Sequence, residues 1–208
     1  MKKYALLFLT ALVPLFAAAQ ESKYFDVDHK EISKSTFQKK RAANAVLDFQ
    51  NDSTHHLINR EEKGTVKDKV KLVSLLEIAS KQKIDPSKPI VIIYYPGKDP
   101  CNSSGNIKFV AAKDKELEKD LSKKYKIQPL FIYKENTGLD RFKKAINWVK
   151  DPGQAVEKHF FKHHYPCGSF VVISKNGDYI SYFGEYMNSQ VLEATKKLSE
   201  QLSKDIEL

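Results

Sequence analysis

Residues 90–101 read IVIIYYPGKDPC, and the fold turns on the first half, Ile90-Val91-Ile92-Ile93-Tyr94-Tyr95. An unbroken run of β-branched and aromatic residues has no polar face, so it predicts a strand buried on both sides, the central parallel strand of a sheet. Pro86 and Pro89 bound it upstream, and Pro96 to Ser104 reads as a loop. Val110, Leu117, Leu121 and Tyr125 then predict a helix to about Tyr125, followed by a second buried strand at Pro129-Leu130-Phe131-Ile132-Tyr133. Leu139, Phe142, Ile146 and Val149 predict a helix on the sheet, interrupted at Asp151-Pro152-Gly153, with a further helical stretch to about His163. Two strands, from Ser169 to Ser174 and from Tyr179 to Phe183, flank Lys175-Asn176-Gly177-Asp178, whose Asn-Gly is a hairpin signal. A last helix starts near Asn188 or Ser189, with Val191, Leu192, Thr195, Leu198 and Leu202 inward.

Upstream of the central strand, Thr65-Val66-Lys67-Asp68 has the Thr-x-x-Asp form of a helix start, and Val66, Val70, Val73, Leu76 and Ala79 follow at helical spacing. Alternation of α and β closed by a hairpin and a helix predicts an α/β fold, a mixed sheet with helices on both faces, over residues 65–208. Residues 20–64 are more polar and read as an N-terminal extension packed on that domain. Within it lie the run Tyr24-Phe25-Asp26-Val27, a helix entered at Ser33 or Ser35 carrying Phe37, Ala42, Ala45 and Val46, and an edge strand from Ser53 to Arg60.

The composition of the 208 residues, 41% hydrophobic and 29% charged, is that of a globular chain and excludes a disordered one. Eight Gly and eight Pro exclude collagen-like architecture. The net charge of +9 is spread over pairs such as Lys39-Lys40, Lys123-Lys124 and Lys196-Lys197 rather than gathered in a patch, which predicts a solvated surface and no nucleic-acid partner. Met1-Lys2-Lys3, the short apolar run from Tyr4 to Phe16 and Ala17-Ala18-Ala19 form the pattern of a secretory leader, residues 1–19, with a mature start at Gln20. The apolar run is shorter than the ~20 residues of a membrane span, and no cysteine follows the cleavage pattern, so a soluble periplasmic or extracellular protein is expected. In that setting the two cysteines, Cys101 and Cys167, form an even count that permits a disulfide.

The order of elements resembles the thioredoxin fold, in which a buried strand leads to a redox loop, and "FVVISKNGDYISYFGEY" at residues 170–186 is similar to its closing hairpin. The resemblance spans about residues 65–204. It implies that Cys101, in "YYPGKDPCNSSG", stands at the attacking cysteine, where a helix N-terminus would favour the thiolate. The usual C-x-x-C is missing: Asn102-Ser103-Ser104 follows, and a serine cannot resolve a mixed disulfide. The family also carries a cis-proline before the first hairpin strand, facing the redox loop. Here that segment is Tyr165-Pro166-Cys167-Gly168-Ser169-Phe170, so either Pro166 is that proline or Cys167 occupies its place. Both alignments imply a Cys101–Cys167 disulfide between the two loops.

Two functions follow from the resemblance. One is an exported thiol-disulfide redox protein acting through Cys101, Cys167 and Pro166 on the thiols and disulfides of envelope or secreted proteins. The other is a non-enzymatic thioredoxin-fold binding protein whose bridge is structural, contributing roughly 4 kcal/mol by loop-closure entropy. Pro100 in place of an aromatic residue, and the lack of a buried acid in Ile90 to Ile93, depart from the family. "YYPGKDPC" is also similar to the peroxiredoxin loop, but Lys98 stands where that family has its threonine. His159, His163 and His164 precede Cys167, and a Cys/His site for copper or zinc is the alternative to a polar helix end. The polar-end reading is the one adopted, so no metal and no other cofactor is expected. His29, His55 and His56 are expected at the surface, and Trp148 in the core. No phosphate-binding glycine loop, Ser/His/Asp set or paired catalytic carboxylates are present.

Overall fold

The computed structural model describes residues 22–43, 45–103, 107–140 and 145–204. The expected leader, Ser104 and Phe142 lie outside them. No helix among the described residues is long and apolar enough to cross a membrane.

Among the described residues the chain is α/β, with two sheets. The larger has six strands: β5 (Glu61–Thr65), β6 (Ile90–Tyr95), β7 (Leu130–Tyr133), β8 (Trp148–Lys150), β9 (Ser169–Ile173) and β10 (Asp178–Tyr182), in the order β5-β10-β9-β6-β7-β8. Strands β6, β7 and β8 run parallel, while β9 is antiparallel to β6, and β10 to both β9 and β5. All six residues of β6 are buried, as an uninterrupted apolar strand requires. Its side chains alternate between two cores. Ile90, Ile92 and Tyr94 pack with Leu72 and Leu76 of helix α2 (Lys69–Ser80) and with Val156 and Phe160 of α4 (Ala155–Phe160). Val91 and Ile93 pack with Leu117 and Leu121 of α3 (Ile107–Tyr125) and with Val191 and Leu198 of α5 (Asn188–Lys204). This is the period of two of a strand covered on both faces.

The β9–β10 connection is a three-residue loop, Lys175-Asn176-Gly177, closed by Ser174 N–H to the Asp178 carbonyl at 2.7 Å. Gly177 takes the left-handed conformation there, with φ 96°. Two local readings are corrected. Thr65 ends a strand rather than opening a helix, and α2 is capped by Asp68, whose carboxylate accepts from Lys71 N–H at 2.9 Å. That shifts the helical phase, so Leu72, Leu76 and Ser80 are buried while Val70 is 80% exposed. The segment around Val149 is also not helical: Trp148–Lys150 pairs parallel with β7.

The smaller sheet holds β1 (Lys23–Phe25), β2 (Glu31–Ile32), β3 (Val46–Asn51) and β4 (Thr54–Asn59), in the order β2-β1-β4-β3. Helix α1 (Lys34–Ala42) is capped by Ser33 and buries Phe37. Strand β4 is internal to this sheet rather than an edge, and Val46 lies in β3, not in a helix. His55 and His56 are half-buried rather than surface residues. They stack on Tyr24 and Phe25, centroids 4.9 and 4.6 Å apart, and His55 Nδ1 lies 3.1 Å from Asp48. This sheet docks on the larger unit through Leu47 and Ile58, which join the same core as Tyr165 and Phe183. Phe49 meets the His163 ring at 4.6 Å. Arg60 joins the two sheets: Phe183 N–H donates to its carbonyl at 2.7 Å, and its guanidinium donates to the Glu185 carbonyl at 3.3 Å.

Candidate functional site

Strand polarity decides what meets at one end of the large sheet. Tyr94, near the end of β6, pairs with Ser169 at the start of β9, and Phe170 pairs with Tyr182 at the end of β10. The loop leaving β6, the loop entering β9 and the segment leaving β10 therefore converge. Cys101 lies on the first, Cys167 on the second and Glu185 on the third.

Cys101 and Cys167 form a disulfide with a Cα separation of 5.0 Å, closing a loop of 66 residues. Cys101 is exposed and Cys167 half-buried. Around them a polar clamp joins the two loops. The Asp99 carboxylate accepts from Cys167 N–H at 2.9 Å and from Asn102 N–H at 2.8 Å. The Asn102 side chain accepts from Asp99 N–H at 3.0 Å and donates to the carbonyls of Gly97, at 2.8 Å, and Cys167, at 3.2 Å. Ser103 Oγ donates to the Asp99 carbonyl. Asp99 is thus almost buried, its side chain 8% exposed, with His164 Nε2 3.4 Å away. Cys167 is held at both its N–H and its carbonyl by residues that flank Cys101.

Cys167 has a φ of 70°, and Gly168 N–H donates to the Pro166 carbonyl at 2.9 Å across it. A three-residue turn with positive φ at a non-glycine residue is a strained arrangement, and such conformations persist only where neighbours over-determine them. Here the Asp99–Asn102 clamp supplies those neighbours. Gly168 completes the approach, since a Cβ there would lie 3.2 Å from the Tyr94 carbonyl oxygen.

The structure brings Cys101, Cys167 and Pro166 into one place, with three departures from the expected geometry. There is no cis peptide bond among the described residues, so Pro166 is trans. Helix α3 is described from Ile107, and Cys101 itself lies in a turn rather than in helical conformation. The third departure concerns the histidines. Helix α4 ends at Phe160, and His159 Nδ1 lies 2.8 Å from the Ala155 carbonyl, His163 lies against Phe49, and His164 faces Asp99. Among the described residues the grouping of potential ligands is instead Cys101, Cys167 and Glu185, with donor atoms within 4.8 Å of one another. Sequence reading missed Glu185 although the signal was present: a hairpin register that sets Phe170 opposite Tyr182, continued outward, sets Cys167 opposite Glu185.

Beside the site, Lys113 donates to the Tyr186 carbonyl at 2.7 Å and lies over the Tyr186 ring, 4.9 Å from its centre. Its neighbour Asp114 is buried, and that burial pushes its carboxyl up to about 7, Lys113 opposing and Glu118 adding to the rise. No protein-family model matches the chain, and comparison with curated proteins finds no relative.

Proposed function

We propose that this is an exported, thioredoxin-like thiol-disulfide protein in which Cys101 and Cys167 replace the C-x-x-C pair. The observation that carries this reading is an exposed Cys101 bridged to Cys167 between the loop leaving the central strand and the loop entering the hairpin. The arrangement of β6, α3, β7, β9, β10 and α5 supports the resemblance, with β6 and β7 parallel and β9 and β10 following antiparallel. A client thiolate would attack the exposed Cys101 sulfur and release Cys167 as the thiolate. A second client thiolate attacking the client sulfur of that mixed disulfide would form the client disulfide and release Cys101, leaving the pair reduced, whereas attack by Cys167 on Cys101 would return the client unoxidised.

A second reading is favoured by the clamp. Hydrogen bonds to both sides of Cys167 hold the loops together independently of the sulfurs, as in a binding protein whose bridge is a staple. Thiol labelling with mass spectrometry across a glutathione redox series separates the two. Opening within about −120 to −230 mV, with loss of exchange activity in Cys101→Ser, is the result expected of the redox protein. A bridge that persists below about −300 mV would make it structural.

A further inference from the structure

We propose that the reduced form of the Cys101–Cys167 pair, together with Glu185, binds one zinc-class divalent cation. The inference rests on the bridge being openable, as in the function proposed above. The three donor atoms already lie within 4.8 Å of one another, brought there by three different segments at one end of the sheet. Two thiolates and a carboxylate are the donor set of a borderline-soft ion such as Zn²⁺, and sulfur ligation disfavours Mg²⁺ or Ca²⁺. Tetrahedral coordination with Zn–S bonds of about 2.3 Å requires the two sulfurs about 3.8 Å apart. Rotation about the Cys101 and Cys167 side-chain bonds supplies that separation from Cα atoms 5.0 Å apart. The fourth position stays open to solvent.

The surroundings favour a cation for a second reason. Although the chain is basic overall, two carboxylates stand at the bridge: Glu185, among the donors, and Asp99, on Cys167 N–H. Reduction places up to two further negative charges beside them, and a bound cation relieves that repulsion. The backbone that presents the donors also carries contacts that do not use the S–S bond. Asp99 and Asn102 hold Cys167, and Arg60 holds the Glu185 carbonyl at 3.3 Å. These are the outer contacts that orient ligands in metal sites. Disulfide and metal compete for the same sulfurs, so occupancy is gated by redox state. A dithiol reductant gives two electrons to the S–S bond and is itself oxidised to a disulfide, leaving two thiols. Binding of the ion then releases both thiol protons to solvent.

The test is a titration of the purified protein with Zn²⁺, against a chromophoric chelator, and with Co²⁺, before and after reduction by a phosphine under anaerobic conditions. The expected result is one ion per chain only after reduction, with a thiolate-to-cobalt charge-transfer band and the intense visible bands of tetrahedral Co²⁺. Cys101→Ser and Cys167→Ser should each abolish it, and Glu185→Gln, at an exposed position that leaves folding intact, should weaken Zn²⁺ binding at least roughly tenfold. Equal uptake by oxidised and reduced protein overturns the proposal. So does unchanged affinity in Glu185→Gln, or loss of the far-UV circular dichroism on reduction without recovery on adding Zn²⁺. The redox function fails by a different sign, a bridge that resists glutathione; the phosphine opens such a bridge regardless, so the two failures are distinguishable.

Discussion

In the six-stranded sheet every residue of β6 and β9 is buried, whereas no strand of the four-stranded sheet carries more than one buried residue. The larger sheet has helices on both faces and builds two cores of its own. The smaller one leans on ring stacking at His55 and His56, on Phe37 of α1, and on contacts across to Tyr165 and Phe183. Those contacts fall on the stretches that lead into Cys167 and Glu185. The difference assigns the two sheets different work: the large one supplies the stability, and the small one braces the loops around the disulfide.

The largest effect that would test this division belongs to the large sheet. Ile92→Ala, in fully buried β6, should lower stability by roughly 4 kcal/mol in urea unfolding. A loss well under 2 kcal/mol would mean the centre of the molecule lies elsewhere. Next comes Asp114, on α3 against the same sheet. Between the ordinary carboxylate value of 3.8 and about 7, the folded chain keeps a proton that the unfolded chain has lost. Stability contributed by Asp114 is therefore complete at low pH and lost as pH rises through about 7. Asp114→Asn should raise stability at pH 8 by on the order of 3 kcal/mol while leaving it near wild type at pH 4. Parallel pH profiles for the two proteins would show that the carboxyl is not buried as described.

Leu47→Ala is expected to cost about 2 kcal/mol, near the lower end for a buried leucine because the site is at the rim of the core. Its sharper signature is local. Amide exchange at Gly168 and Gly184 should accelerate while Val171 and Val172 stay protected. Equal acceleration at all four would merge the two sheets into one cooperative unit. The smallest effect is Asp99→Ala, about 1–2 kcal/mol from unpairing Cys167 N–H and Asn102 N–H, with faster phosphine reduction of the bridge as the readout. An unchanged reduction rate would show that the clamp does not hold the loops.

How much was legible in the chain follows the same boundary. Ile90 to Tyr95 and the β9–β10 hairpin were readable because an apolar run bounded by prolines, and Asn-Gly between two such runs, each allow few alternatives. Val70 departs from its expected inward place because Thr65 belongs to a strand, which resets the helical phase. Trp148–Lys150 reads as helix in the sequence because three residues at a sheet edge carry no period of their own. In the small sheet the strand read from Ser53 to Arg60 is present as β4, though internal rather than at an edge, whereas β3 mixes polar and apolar residues without a clean alternation and is held by neighbours in β4, so Val46 reads as the tail of a helix. The meeting of Cys101 and Cys167 came from the family resemblance rather than from spacing. Glu185 needed the hairpin register carried past the last paired residues, a step available in principle from the turn alone.

The Asp99–Asn102 clamp has a kinetic consequence. Because it fixes the backbone on both sides of Cys167 without using sulfur, the two thiols of a reduced chain remain neighbours, each at a local concentration set by the fold and not by the dilution of the protein. Any group captured on Cys101 is then exposed to expulsion by Cys167 at a rate independent of protein concentration. A mixed disulfide on Cys101 should be long-lived only when Cys167 is absent, as in Cys167→Ser.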